Sequence, residues 1–199
     1  MTPGHDALLA RGRRLQYTTI AWNVMEVFVT IGLGIAAGSL ALIAFGLDSL
    51  VEVFASAVVI WFIANHHQER RMQRALRLVG VAFGLLAVYL VAASIFNLVQ
   101  GEAAGSSPLG IAYLAATACV MFGLARVKRG VAAAAQSQPL AAEARLTFLD
   151  GCLASGILIA LVLNAVWGIW WADPAAALLV AAFCAREAID NWREAREAP

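Results

Sequence analysis

Two carboxylates four residues apart lie inside a long apolar stretch of the chain. The segment FGLDSLVEVF, residues 45–54, carries Asp48 and Glu52 within an apolar run over residues 40–64. Residues four apart share one face of a helix. In a helix that begins at Ser39, Asp48 would lie roughly 14 Å deep, near the middle of a membrane core about 30 Å thick. Two like charges at that depth cannot both stay ionised without a cation. The spacing therefore indicates a site for protons or metal ions.

Two other apolar segments carry acids with helical spacing. Glu143 and Asp150 are seven residues apart in LAAEARLTFLDGCLAS, with Glu143 near the cytoplasmic mouth, and Asn23 and Glu26 are three apart in YTTIAWNVMEVF. Acids on separate helices with no Lys or Arg expected at the same depth favour a cation site. Two alternatives stay open, because Glu143 could be a solvated acid beside Arg145 and the Asn23 pair could hold two helices together.

The composition is that of a membrane protein. Of the 199 residues, 62% are hydrophobic and 14% are charged, against about 25% charged residues in soluble domains. The mean hydropathy is +0.77, and the lipid bilayer is the expected partner. A formal net charge of only +1 gives no reason to expect nucleic-acid binding. No nucleophile with a base and no metal-ligand histidine cluster lies in the apolar segments, so we do not expect an enzyme.

The apolar segments that must position these acids form three predicted hairpins. The first turns at Gly38 and Ser39, and the third turns at WGIWWADP, where Asp173 before Pro174 is expected to cap the last helix. The three cysteines are expected to be small buried side chains. A spanning helix needs roughly 20 mostly apolar residues, and the six candidate spans cover 16–37, 39–64, 75–99, 108–126, 140–169 and 173–189.

The basic residues fix the predicted orientation. All 14 Lys and Arg residues fall on one side of the six predicted spans, and the positive-inside rule places that side, with both termini, in the cytoplasm. The sequence thus predicts an all-α membrane protein of the cell inner (plasma) membrane. Its six-transmembrane-helix bundle covers residues 16–189, between cytoplasmic tails at 1–15 and 190–199, and residues 132–139 form a flexible connection.

Three segments resemble the transmembrane domain of the cation diffusion facilitator family, over most of residues 17–195. These are AAGSLALIAFGLDSLVEVFAS, AEARLTFLD and WWADPAAAL, which are similar to parts of the family's second, fifth and sixth helices. The resemblance implies six helices, a homodimer and exchange of a divalent metal ion for protons. It also implies a tetrahedral metal site made by two residues of helix two and two of helix five. The family's usual cytoplasmic C-terminal domain has no counterpart in the sequence.

The family's ligand positions fall on three acids and one apolar residue. The resemblance implies three ligands by position: Asp48, Glu52 and Asp150. The fourth position falls on Leu146, which cannot bind metal, and Glu143, Glu26, or water is left to complete the shell. A site of carboxylates alone suits Mn²⁺ or Mg²⁺ as well as Zn²⁺, because zinc favours nitrogen and sulfur ligands.

The sequence therefore predicts an efflux transporter for a divalent metal, with zinc as the leading candidate and protons as counter-ions. The full set of residues expected at the metal site or its path is Asp48, Glu52, Asp150, Glu143, Glu26 and Asn23. The alternative is a membrane protein of the same fold that binds metal or regulates a partner without transport. His66 and His67 follow the second span and could take up metal at the cytoplasmic surface, although an ordinary interfacial loop explains them equally.

Overall fold

Every regular secondary-structure element in the described part of the chain is an α-helix. The computed structural model describes residues 3–64, 69–101, 104–136 and 138–197. The helices within these ranges are α1 (Pro3–Ala37), α2 (Leu40–Ala64), α3 (Glu69–Gln100), α4 (Pro108–Ala135), α5 (Gln138–Trp167) and α6 (Ala172–Glu197). The predicted all-α fold is confirmed for these residues.

Four of the described helices contain stretches that are long and apolar enough to cross a membrane. The charges in the second half of α6, among them Arg186, Glu187 and Asp190, break up its apolar stretch. The prediction of six crossings with both termini in the cytoplasm stays a prediction. The four candidate spans are Arg14–Ala37, Leu76–Gln100, Pro108–Ala135 and Glu143–Trp167.

Four of the helices, α1, α3, α4 and α6, are longer than the predicted spans. α1 begins at Pro3 and α6 continues to Glu197, so both enter the segments predicted as tails. The predicted flexible connection over residues 132–139 is wrong, because α4 runs to Ala135 and α5 begins at Gln138. Ala and Gln are good helix formers, and this run contains little else before Pro139. The break falls at Gln136, which adopts a left-handed φ of 49° and returns its N–H to α4 carbonyls.

The turn between α1 and α2 lies where the sequence predicts it. Gly38 has φ +62°, a left-handed conformation that suits glycine, and α2 starts two residues later. The sequence predicts that Asp173 caps its own helix, α6. Its carboxylate instead caps the start of α2. Its carboxylate accepts hydrogen bonds from the Ser39 hydroxyl and from the N–H groups of Leu40 and Ala41. A carboxylate at a helix N-terminus satisfies free N–H groups and complements the helix dipole, so this contact ties α6 to α2.

The helices pack mainly as three pairs, α1 with α2, α3 with α6, and α4 with α5, and α2 also contacts α3 and α6. Small residues allow the close approach. A Cβ at Gly46 of α2 would overlap Thr30 and Ile31 of α1. Large apolar side chains remain on the outer surface, such as Phe28 at 75% exposure and Val88 at 70%. Such an apolar exterior suits lipid rather than water.

Candidate cation site

The two acids of α2 have different surroundings. Asp48 is only 2% exposed, and the Cys184 thiol of α6 donates a hydrogen bond to its Oδ1 at 3.2 Å. Glu52 is partly exposed, and its Oε2 accepts a hydrogen bond of 2.9 Å from Nδ2 of Asn23 on α1. Asn23, which the sequence predicts to be part of the site, therefore holds the Glu52 carboxylate in place. These contacts join α1, α2 and α6 around the acid pair.

Two further carboxylates lie at the same place in the bundle. Glu26 of α1 is fully buried, and neither carboxylate oxygen has a hydrogen-bond partner among the described residues. Asp150 of α5 is 6% exposed. Glu26 is close enough to interact electrostatically with Asp48 and Asp150, and Glu52 interacts with all three of the other acids. Carboxylates that repel one another in an apolar interior need protons or a cation to be stable there.

The four acids interact electrostatically with one another, but their side chains do not form a closed coordination shell. Within the described ranges, no group of three or more His, Cys, Asp or Glu side chains is arranged to hold a metal ion. In this conformation the Asn23 amide and the Cys184 thiol instead engage the oxygens of Glu52 and Asp48. The assignment of Asp48, Glu52 and Asp150 as ligands stays a prediction.

A buried lysine lies between these acids and the ends of α4 and α5. Lys128 is fully buried, and its Nζ donates hydrogen bonds to Oγ1 of Thr147 at 2.9 Å and to Oε1 of Gln16 at 3.1 Å. Nζ also lies 3.8 Å from Oε2 of Glu143, whose side chain is 40% exposed. The ammonium thus connects α1, α4 and α5. It is also close enough to interact with Glu52 and Asp150.

A comparison with known protein families identifies the family of the chain. The family model described as the cation efflux transmembrane domain matches residues 17–198, nearly the whole chain. The chain belongs to the cation efflux family. The resemblance found in the sequence is thereby confirmed, and the chain is a membrane protein of a cation-transporting family. No curated protein matches the chain.

The position at which the resemblance expects a fourth ligand faces away from the acids. Leu146 is 42% exposed, whereas Thr147 and Asp150 are buried. Glu143, Thr147 and Asp150 follow one another at four and three residues, so they form one helical stripe. In this cation efflux protein, α5 therefore directs a hydroxyl and two carboxylates inward and leaves the leucine at its outer edge.

Lys128 is the main site residue that sequence reasoning missed. The predicted fourth span ended at residue 126, which placed Lys128 with the cytoplasmic charges and led to the expectation that no basic residue lies among the acids. Because α4 continues to Ala135, Lys128 instead lies more than one turn inside the helix. The Ala-rich segment after Arg129 is the feature of the sequence that indicates this position of Lys128, because it continues the helix beyond the lysine.

Two other residues near the acids, Cys184 and Glu187, were harder to identify from the sequence. Cys184 is buried as predicted, but Cys119 and Cys152 are exposed, so the expectation of three buried cysteines is wrong. The sequence did not associate Cys184 with Asp48, since 136 residues separate them. Glu187 of α6 also interacts electrostatically with Asp48 and Glu52. His66 and His67 lie outside the described residues, so their predicted alternatives stay open.

Proposed function

We propose that the chain exports a divalent metal ion, with Zn²⁺ as the first candidate, in exchange for protons by alternating access. The observation that carries the proposal is the set of four mutually interacting acids drawn from α1, α2 and α5, of which Glu26 is fully buried without a hydrogen-bond partner among the described residues. Intramembrane acids of this kind mark ion pathways. Membership of the cation efflux family supports the same reading.

In the proposed cycle, Asp48, Glu52 and Asp150 lose protons and bind the metal ion when the site faces the cytoplasm. After the bundle reopens on the other side, protonation of these carboxylates weakens their hold and the ion leaves. Asn23 keeps Glu52 oriented through its amide. Glu26, which interacts electrostatically with Asp48 and Asp150, is proposed to complete the metal shell or to hold one of the exchanged protons. Because the same oxygens hold either metal or protons, the two fluxes are coupled.

We also propose a membrane topology and a metal preference for the protein. We place six crossings in the inner (plasma) membrane with both termini in the cytoplasm, and we propose a homodimer and no enzymatic activity. The proposed ligands Asp48, Glu52 and Asp150 are all carboxylates, and Leu146 faces away from them, so the site should accept Mn²⁺ alongside Zn²⁺. A zinc-selective site would be expected to add imidazole or thiolate ligands.

Transport by reconstituted protein tests the proposal directly. Proteoliposomes with a metal-sensitive dye inside should take up Zn²⁺ when the lumen is more acidic than the outside, and the Asp48→Asn variant should lose at least nine-tenths of the initial rate, on the order of the tenfold that 1.4 kcal/mol represents. Asp190→Asn is the matched control, since Asp190 is a half-exposed acid that pairs with arginines of its own helix. Full metal flux by Asp48→Asn would refute the proposed site.

A second candidate is a membrane protein that binds metal or regulates a partner without transport. The outward position of Leu146 favours it, because one family ligand position is unavailable. The two functions separate cleanly in the same vesicles. A transporter dissipates an imposed metal gradient and moves protons in the opposite direction, whereas a sensor binds metal at equilibrium with no net flux of either ion.

A further inference from the structure

A groove of about 630 Å³ runs along the seam between α3 and α6, away from the acids. Small residues line it, among them Gly80 and Gly84 of α3 and Ala188 of α6, together with Val88 and Trp192. A Cβ at Gly80 would lie 2.6 Å from Cδ1 of Trp192, so the indole ring occupies the space over that glycine. At Gly84 the nearest atom would be Cβ of Ala188 at 3.8 Å, which leaves the groove open there.

The two ends of the groove differ in charge. Its lining is apolar except at one end, where Arg193 and Arg196 of α6 contribute their side chains. Nη1 of Arg193 lies 3.8 Å from Oδ1 of Asp190, and Nε of Arg186 lies 3.7 Å from Oδ2 of the same acid, so Arg186 and Arg193 share this carboxylate. Arg77 is exposed on α3, three residues before Gly80 and at the same end. Trp192 also lies there, as tryptophan does at the level of lipid headgroups. Among the described residues, the lining at this end therefore contributes two arginines and no acid beside the apolar channel.

We propose that the groove binds one anionic phospholipid. Arg193 and Arg196 receive the phosphate, and an acyl chain lies along the seam past Gly84 toward Val88. The volume falls within the roughly 300–1,000 Å³ typical of ligand sites, and the distance from Gly80 to Val88 along α3 is about 12 Å. Basic pockets between helices on the cytoplasmic side bind anionic headgroups, and the proposed topology places the arginines on that side.

Charge complementarity favours a lipid over a second copy of the chain. A symmetric dimer in a membrane has its two-fold axis along the membrane normal, so equivalent residues of both copies lie at the same depth. Two copies joined at this groove would bring the arginine-bearing ends together, and like charges facing each other oppose association. An anionic headgroup instead neutralises the two guanidinium groups, which form strong hydrogen bonds to phosphate.

Lipid retention measured by native mass spectrometry tests the proposal. Protein purified in detergent is titrated with phosphatidylglycerol or with phosphatidylcholine of the same acyl chains. We expect one tightly retained phosphatidylglycerol per chain, preferred at least tenfold over phosphatidylcholine. Joint Arg193→Gln and Arg196→Gln substitution should abolish the preference. Arg186→Gln should retain it, because Arg186 is an exposed arginine of the same helix outside the lining.

A second pair of variants tests the location of the lipid. Gly84→Leu fills the open part of the groove and should release the bound phosphatidylglycerol. Gly123→Leu on α4 is the matched control and should keep it, since a Cβ there meets nothing within 4 Å. Equal retention of the two lipids by the unsubstituted protein would overturn the headgroup assignment. Retention by Gly84→Leu would overturn the location, and a dimer lost in Gly84→Leu would assign the groove to a second copy. These readouts measure lipid and mass only, so they stand or fall independently of metal transport.

Discussion

Replacing Lys128 by methionine removes a buried positive charge and keeps most of the side-chain volume. In the structure, Nζ donates to Thr147 and Gln16 and lies 3.8 Å from the Glu143 carboxylate. The ammonium therefore repels any metal cation held by the neighbouring acids. We expect the Lys128→Met variant to bind divalent metal at least tenfold more tightly than the unsubstituted protein.

The magnitude follows from the helix geometry. Thr147, which contacts Nζ, precedes Asp150 by three residues, or about 4.5 Å along α5, which places the ammonium roughly 7 Å from the Asp150 carboxylate. At an effective dielectric constant of about 20, unit charges 7 Å apart interact by about 2 kcal/mol, and a divalent ion by about twice that. Water and counter-ions reduce this figure, but about 1.4 kcal/mol suffices for a tenfold change in Kd.

The same substitution should change stability little. Two hydrogen bonds from a charged donor contribute about 1.5–3 kcal/mol each, and the desolvation of a buried ammonium costs several kcal/mol in the opposite direction. The terms nearly cancel, so we expect the free energy of unfolding to shift by less than about 2 kcal/mol. Altered metal affinity would therefore reflect charge at the site rather than loss of the fold.

Calorimetric titration with Zn²⁺ at pH 8, where protons compete least, measures the affinity. Lys128→Arg keeps the charge and should leave Kd within a factor of two. Arg129→Gln removes a charge from the next residue, which is exposed and stacks over Phe148 at 5.9 Å, and should also have little effect because exposed charges are screened. If Lys128→Met binds zinc no more tightly than these controls, the ammonium does not act on the ion site.

Three further outcomes are expected. Asp173→Ala should lower the free energy of unfolding by about 2–4 kcal/mol, since it leaves Ser39 and the start of α2 without their buried acceptor; thermal unfolding in detergent measures this, and an unchanged midpoint would contradict the capping role. Gly46→Ala should cost about 1–3 kcal/mol through overlap with α1, whereas Gly32→Ala, which has open space, should not; equal midpoints would refute the tight α1–α2 contact. Zinc uptake should be driven by a lumen more acidic than the outside and opposed by the reverse gradient, and a rate indifferent to the gradient would rule out proton exchange.

The local features of the bundle could be predicted from the sequence. Gly38 and Ser39 fixed the first turn, and the spacing of Asp48 and Glu52 placed both acids on one face of α2. Glu26 and Asp150 were expected at the same site because acids on separate helices with no basic partner favour a shared cation site. Each of these inferences depends on helical periodicity or on the cost of burying charge, and both act over a few residues.

The features that could not be predicted involve partners far apart in the sequence. Asp173 precedes a proline in the way that an ordinary cap does, and only the packing of α6 against α2 directs its carboxylate to another helix. Cys184 meets Asp48 for the same reason. Lys128 was missed because charge counting treats basic residues near a helix end as surface groups. A buried ammonium is stable there because Thr147 and Gln16, on two other helices, accept hydrogen bonds from it and the Glu143 carboxylate lies 3.8 Å away.

The hydrogen bonds between Asp173 and the start of α2 also limit how far the first turn of α2 can move relative to α6. A helix that is held at one end moves least at that end, and the displacement of the other residues grows with their distance from it. Asp48 lies eight residues beyond Leu40, about 12 Å from the fixed end, and Glu52 lies about 6 Å further. Tilting of α2 about this contact therefore displaces Glu52 more than Asp48, and both of them more than Leu40.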